Sequence, residues 1–263
     1  MKKYVAFIKV GIQKELMYRA NFCIGILSMA LSFAVELAIW SAVYQDKAEV
    51  EHITYESMII YTVMTSLLQR FLGSGADEQI GEDFQSGNIV TSFLMPMCLP
   101  VRYSLQELGK GILNAAALLL LFIPYCIWNR EILAMVHPGQ WLLFLLSVVL
   151  AYLLFSIINY MLGIITFWTN SNIGIYMLKM ACIHIFSGMF IPVAFYPALL
   201  RGACMALPFQ YIYYVPLTIV MGEAGGMQAV YGLAGQLLWI GVLAISGAVM
   251  HRKAMSQIVI QGG

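Results

Sequence analysis

The chain has 263 residues, of which 61% are hydrophobic and only 10% charged, with a formal net charge of +1. A soluble domain carries about 25% charged residues, so this chain has too little charge to cover a water-facing surface and needs lipid around it. The near-neutral balance argues against a nucleic-acid partner held through phosphate contacts.

In chain order, residues 3–19 place Val5, Ile8, Ile12 and Leu16 at helical spacing, with Lys2, Lys9, Gln13 and Lys14 among the polar positions. This predicts an amphipathic helix on the inner leaflet. The apolar run that follows continues from about 22 to 44. It is longer than the ~7–15 residues of a signal-peptide core and reads as a retained span. Taking about 20 apolar residues as one crossing, six segments qualify: 22–44, 55–73, 108–128, 140–168, 173–193 and 229–250. The expected fold is an all-α polytopic membrane protein. No internal repeat supports an inverted-repeat carrier.

With the N-terminus inside, the cytoplasmic segments hold Lys2, Lys3, Lys9, Lys14, Arg19, Arg70, Arg102, Lys110, Arg252 and Lys253, against Lys47, Arg130 and Arg201 outside. The positive-inside rule then predicts both termini in the cytoplasm. Trp40, Trp128, Trp141 and Trp168 fall near span ends, as interfacial anchors do.

Three segments that do not span remain. Segment 76–106 is longer than a tight helix connection needs. It carries Asp77, Glu78, Glu82 and Asp83, then Gly87, Asn88, Pro96 and Pro100, which predicts a short helix near 77–86 stopped by Gly87. Segment 194–228 is rich in Phe, Tyr and Leu, but Pro197, Pro208 and Pro216 break it into pieces shorter than a span. Short helices that enter the outer leaflet and return fit both facts. Segment 251–263 is a short polar tail.

Few residues suggest chemistry. Cys23, Cys98, Cys126, Cys182 and Cys204 form no C-x-x-C pair; a Cys126–Cys204 bridge needs both to face outward. The nearest approach to a phosphate loop is Gly109-Lys110, but Ser104 stands at the first glycine position and Gly111 follows the lysine. The chain is therefore not expected to bind ATP or to act as an enzyme by itself. The histidines His52, His137, His184 and His251 are scattered in sequence.

Glu36 and Lys179 lie inside predicted spans. A charge there costs about 2.5–3.5 kcal/mol on insertion scales. Glu36, Lys179 and His184 are candidates for a substrate path or an interhelical polar contact. Alternatively, Lys179 snorkels to the inner interface, or Glu36 or Lys179 is the titratable site of an ion-coupled carrier or channel. Ala30, Ala34, Ala38 and Ala42 line one face of the first span and suit close helix packing, within the chain or between subunits. Asn159 and the Ser187-Gly188 pair are similar packing candidates.

Three stretches carry a family resemblance. The first is Ile80-Gly81-Glu82-Asp83-Phe84-Gln85-Ser86-Gly87-Asn88-Ile89, running on to Leu94-Met95-Pro96, with Met95 where the pattern has arginine. The second is Phe186-Ser187-Gly188-Met189-Phe190-Ile191-Pro192, then Pro197, Leu207-Pro208-Phe209-Gln210-Tyr211 and Pro216. The third is Gln261-Gly262-Gly263 after Arg252-Lys253. Together they resemble the permease subunit of a bacterial ATP-binding-cassette exporter of the type-2 class.

The resemblance implies six membrane helices in the bacterial cell membrane, with residues 1–21 as an elbow helix. It implies a coupling helix that meets a cytoplasmic ATPase subunit through Asp77, Glu78, Ile80, Glu82, Asp83, Phe84, Gln85 and Gly87. It implies an outer gate at Pro192, Pro197, Pro208, Phe209, Tyr211 and Pro216. A second permease subunit, identical or related, completes the path. ATP and Mg2+ belong to the partner, and the expected cargo is a hydrophobic or amphipathic drug, peptide or lipid-like molecule.

Overall fold

The computed structural model describes residues 2–51, 53–73, 75–128, 140–169 and 173–257. Helix α1 (Lys2–Met17) meets α2 (Arg19–Val43) at a one-residue break, Tyr18. A small antiparallel hairpin, β1 (Glu49–Val50) with β2 (Ile53–Thr54), leads into α3 (Tyr55–Leu72). The Thr54 hydroxyl caps α3 by accepting from the Ser57 amide at 3.3 Å. Then come α4 (Ala76–Gln85), α5 (Ile89–Phe93), α6 (Leu99–Trp128), α7 (Trp141–Thr169) and α8 (Ile173–Phe186). The outer segment holds α9 (Ala198–Ala206) and α10 (Tyr214–Val220), and α11 (Met227–Gln257) closes the fold.

Among the described residues, three helical stretches are long and apolar enough to cross a membrane: Ala20–Val43, Trp141–Thr169 and Met227–Ser256. The pair Ala198–Ala206 and Pro208–Val220, bent by 72°, makes a fourth if taken as one span. The remaining predicted spans fall on α3, α6 and α8. Helix α6 starts nine residues before the predicted 108, so the inner loop is shorter than expected.

Helix α8 has 14 residues, about 21 Å at ~1.5 Å per residue, short of a ~30 Å hydrocarbon core. It stops early because the chain turns at Ser187-Gly188. Gly188 adopts φ +75°, which a Cβ would strain. Its carbonyl accepts from the buried Tyr61 hydroxyl.

Packing is tightest where glycines remove side chains. A Cβ on Gly11 of α1 would sit 2.0 Å from the Gln106 carbonyl oxygen, and one on Gly109 of α6 would sit 2.1 Å from that of Ile8. The two backbones therefore lie against each other, as small residues allow between membrane helices. Of the predicted α1 stripe, Ile8 and Ile12 are half-buried while Val5 and Leu16 are exposed. The central core gathers Met58, Tyr61, Leu154, Phe155, Ile212 and Leu217 from α3, α7, α10 and the turn before α10. A second cluster, Ile80, Tyr103, Ile164 and Ala254, seats α4 on α6, α7 and α11. The third joins Phe33 of α2 to Phe122 of α6, edge to face at 4.8 Å.

Helix α2 is different. None of its apolar window is buried. Ile24, Leu27, Leu31, Val35 and Ile39 are exposed, as are Ala30, Ala34, Ala38 and Ala42. The alanine stripe therefore does not serve packing within this chain.

Candidate functional site: an inner clamp, a polar slot and a broken outer segment

Helix α4 presents two faces. Asp77 and Ile80 were expected at a partner's surface, yet both are buried in this chain. Asp77 Oδ1 accepts from Lys179 Nζ of α8 at 2.6 Å, with the lysine side chain 0% exposed. Lys179 also donates to Asn159 Oδ1 of α7 at 3.2 Å. Lys179 thus does not snorkel. Its charge is met by a carboxylate brought up from the short helix α4, which is how a buried cation is tolerated. Burial pushes the Asp77 carboxyl above its ordinary range, and the Lys179 ammonium pulls it back.

Ile80 fills the space above Gly163 of α7, where a Cβ would come within 2.9 Å of its side chain. Phe84 stacks on Phe167 of α7 at 4.1 Å between centroids, so it too is partly committed inward. Asp83 accepts from the Tyr103 hydroxyl at 2.7 Å. Burial and that hydrogen bond to Asp83 raise the phenol's pKa.

The outward face of α4 carries Glu78, Glu82 and Gln85, and the exposed face continues through Gly87. Beyond Gly87, Phe93, Leu94 and Met95 are exposed, Leu94 at 82%. In the sequence Leu94 and Met95 stand out only as part of the family pattern, and Phe93 does not stand out; that the three form an exposed apolar tip was not foreseen.

The second feature is a hollow of about 570 Å³ between α2, α3, α6 and α8. Glu36 and His184 both line it, whereas Lys179 does not. Arg70, Glu107 and Lys110 also face it. Glu107 and Lys110 pair at 2.6 Å. The Arg70 guanidinium donates to the Gly25 carbonyl at 2.5 Å and to Met29 Sδ, tying α3 to α2. A neighbouring hollow beneath α4, lined by Glu78, Glu82 and Lys14, shares Gly75 and Lys110 with this slot. Burial and the nearby Lys110 lower the Lys14 pKa.

The outer segment is held by neutral groups. Pro197 precedes α9, and Pro208 opens a 3-10 turn through Tyr211, both positions where a missing N–H costs nothing. Pro192, Pro208 and Pro216 are buried, Pro197 is exposed, and Phe209 and Tyr211 are half-buried. Gln236 of α11 is fully buried and was not foreseen. Its amide donates to the Tyr211 carbonyl at 2.9 Å and the Ser147 carbonyl at 3.0 Å. Its oxygen accepts from the Ser147 hydroxyl at 3.1 Å. A Cβ on Gly235 would meet the Tyr211 ring at 2.3 Å.

Cys204 is a buried free thiol. The bridge considered with Cys126 lies outside the described side chains, as do the expectations for His52, Arg130, His137 and the Gln261-Gly262-Gly263 ending. No group of three or more His, Cys, Asp or Glu among the described residues is placed to hold a metal ion.

Residues 30–262 match the model of the family described as ABC-2 family transporter protein. No curated protein matches the chain.

Proposed function

The chain belongs to the ABC-2 family of transporter proteins, as a membrane permease that associates with an ABC ATPase subunit, and from that premise we propose that it forms half the path of an ATP-driven exporter. The cargo is a hydrophobic or amphipathic drug, peptide or lipid-like molecule. The chain crosses the cell membrane six times, with α1 as the elbow and both termini in the cytoplasm. A second permease subunit, identical or related, faces it, and lipid covers the rest of the apolar surface. The bare stripe of α2 supports that pairing. ATP and Mg2+ sit on the ATPase, and this chain supplies no catalytic residue.

The observation that carries this reading is the two-faced α4. Inward, Asp77 and Ile80 bolt it to α7 and α8. Outward, Glu78, Glu82 and Gln85 run toward the bare tip at Phe93, Leu94 and Met95. An apolar anchor with a polar rim is what a docking surface needs. A helix open on one side and bolted on the other turns a push from a partner into displacement of the spans. ATP-driven closure of the ATPase pair supplies that push.

The test is co-expression with the cognate ATPase and substitution of Leu94→Asp. Co-purification and vanadate-sensitive ATPase coupling should both fall. If both are unchanged, docking at this tip is wrong.

The rival is an ion-coupled carrier using Glu36 or Lys179. Lys179 is sealed in its ion pair, which leaves that reading Glu36 alone. Nucleotide-free, ion-driven flux through the purified chain would establish it.

A further inference from the structure

The slot has charged groups at opposite ends. Arg70 touches the Gly25 carbonyl, which fixes its level along α2. Glu36 lies eleven residues further along the same unbroken helix, about 16 Å at ~1.5 Å per residue. Among the described residues neither Glu36 nor Arg70 is in an ion pair, whereas Glu107 and Lys110 satisfy each other. Glu15 of α1 feels Arg70 electrostatically but is not in ion-pair contact with it, and it accepts from Asn114 at 3.2 Å. His184, the other titratable group at the Glu36 end, rests edge-on against Phe190 at 4.9 Å.

Between the charged ends the walls are mixed: Met29, Met180 and Phe190 are apolar, and a polar row runs beside them. Ser28 and Ser32 of α2, Ser66 and Gln69 of α3 and Asn114 of α6 all line the slot. A row of hydroxyls and amides is poorly matched to an alkyl chain but well matched to a backbone whose N–H and C=O groups must be satisfied in a low-dielectric site. The volume of about 570 Å³ is within the ~300–1,000 Å³ of small-ligand sites. A rise of about 16 Å along α2 corresponds to about five residues of extended chain at ~3.3 Å each.

We infer that the slot binds a short extended peptide, its terminal ammonium at Glu36 and its carboxylate toward Arg70. This rests on the permease reading and names the cargo class for it. The shared lining at Gly75 and Lys110 places the carboxyl end next to the hollow beneath α4, where the ATPase's push arrives.

The experiment uses the assembled permease–ATPase complex in nanodiscs, without nucleotide, titrated with pentaalanine, N-acetyl-pentaalanine and pentaalanine amide. In the wild type, removing either terminal charge should weaken binding about tenfold, the loss of one charge-assisted contact. In Glu36→Gln, acetylation should cost nothing further while amidation still does. Glu36→Asp should restore discrimination against the acetylated peptide, which a merely structural role would not. Equal acetylation penalties in wild type and Glu36→Gln would overturn the inference, as would no saturable binding, or competition by dodecylamine as strong as by the peptide. ATP-driven uptake of labelled peptide into inside-out proteoliposomes of the same complex tests the other reading. Binding with the expected end-group pattern but no flux keeps the slot and removes export.

Discussion

The inner and outer ends of this core are fastened by different chemistry. At the inner end a full ion pair, Asp77 with Lys179, joins α4 to α8 and reaches α7 through Asn159. At the outer end an uncharged network, Gln236 with Ser147 and the Tyr211 backbone, joins α11, α7 and the turn before α10. A charge pair in a dry site is close to all-or-none, because breaking it strands a charge. A neutral network loses its members one at a time. The α4 end is thus rigidly bolted, and the end around Tyr211 is held by contacts that can be exchanged; under the proposed function these are the ends that receive work and release cargo.

The comparison breaks most directly at Lys179. Lys179→Met should destabilise the protein by about 3–5 kcal/mol, because Asp77 is left buried and uncompensated. Detergent thermal unfolding checks it. The double variant Asp77→Asn, Lys179→Met should recover most of the stability yet uncouple ATP hydrolysis from transport. Recovery of both would reduce the pair to a structural device.

Overpacking the α4 seat comes next. Gly163→Val drives side-chain atoms into Ile80 and should cost about 1–3 kcal/mol. Weaker protection of α4 amides in hydrogen exchange would accompany it. At the outer end, Gln236→Leu leaves two buried carbonyls without their donor and should also cost about 1–3 kcal/mol. Its particular signature is faster labelling of a cysteine introduced at Phe209, with ATPase docking unchanged. The smallest effect is that of Tyr61→Phe, which removes the hydroxyl from the Gly188 carbonyl. About 0.5–1.5 kcal/mol is expected, read as a small drop in unfolding temperature.

Much of the architecture was legible in the sequence because lipid imposes a simple rule. Runs such as 22–44 and 140–168 have no option but helix, and α2 and α7 lie close to them. Proline and glycine marked the breaks at Gly87 and Pro208 for equally local reasons, whereas Gly188 reads in the sequence as a packing position inside a continuous span. Partners distant in sequence could not be read. Asp77 and Lys179 are 102 residues apart. Each alone fitted a bland account, a docking acid and a snorkelling base. Only the fold shows that they answer each other. Gln236 escaped notice because a single amide in an apolar run has no periodic signature. Glu36 was visible as a costly charge, but its relation to Arg70 depends on how α2 and α3 lie side by side.

The glycine contacts between α1 and α6 bear on how the protein is made. Gly11 leaves the ribosome nearly a hundred residues before Gly109, the residue whose backbone neighbourhood it must enter. At ~5–20 residues per second, the first helix waits about 5–20 s for its berth. Throughout that interval its exposed Tyr4, Val5, Leu16 and Met17 need the membrane surface as a holding place. A bulky residue at Gly11 or Gly109 would therefore show itself first as slow or failed maturation, before any assay of transport was possible.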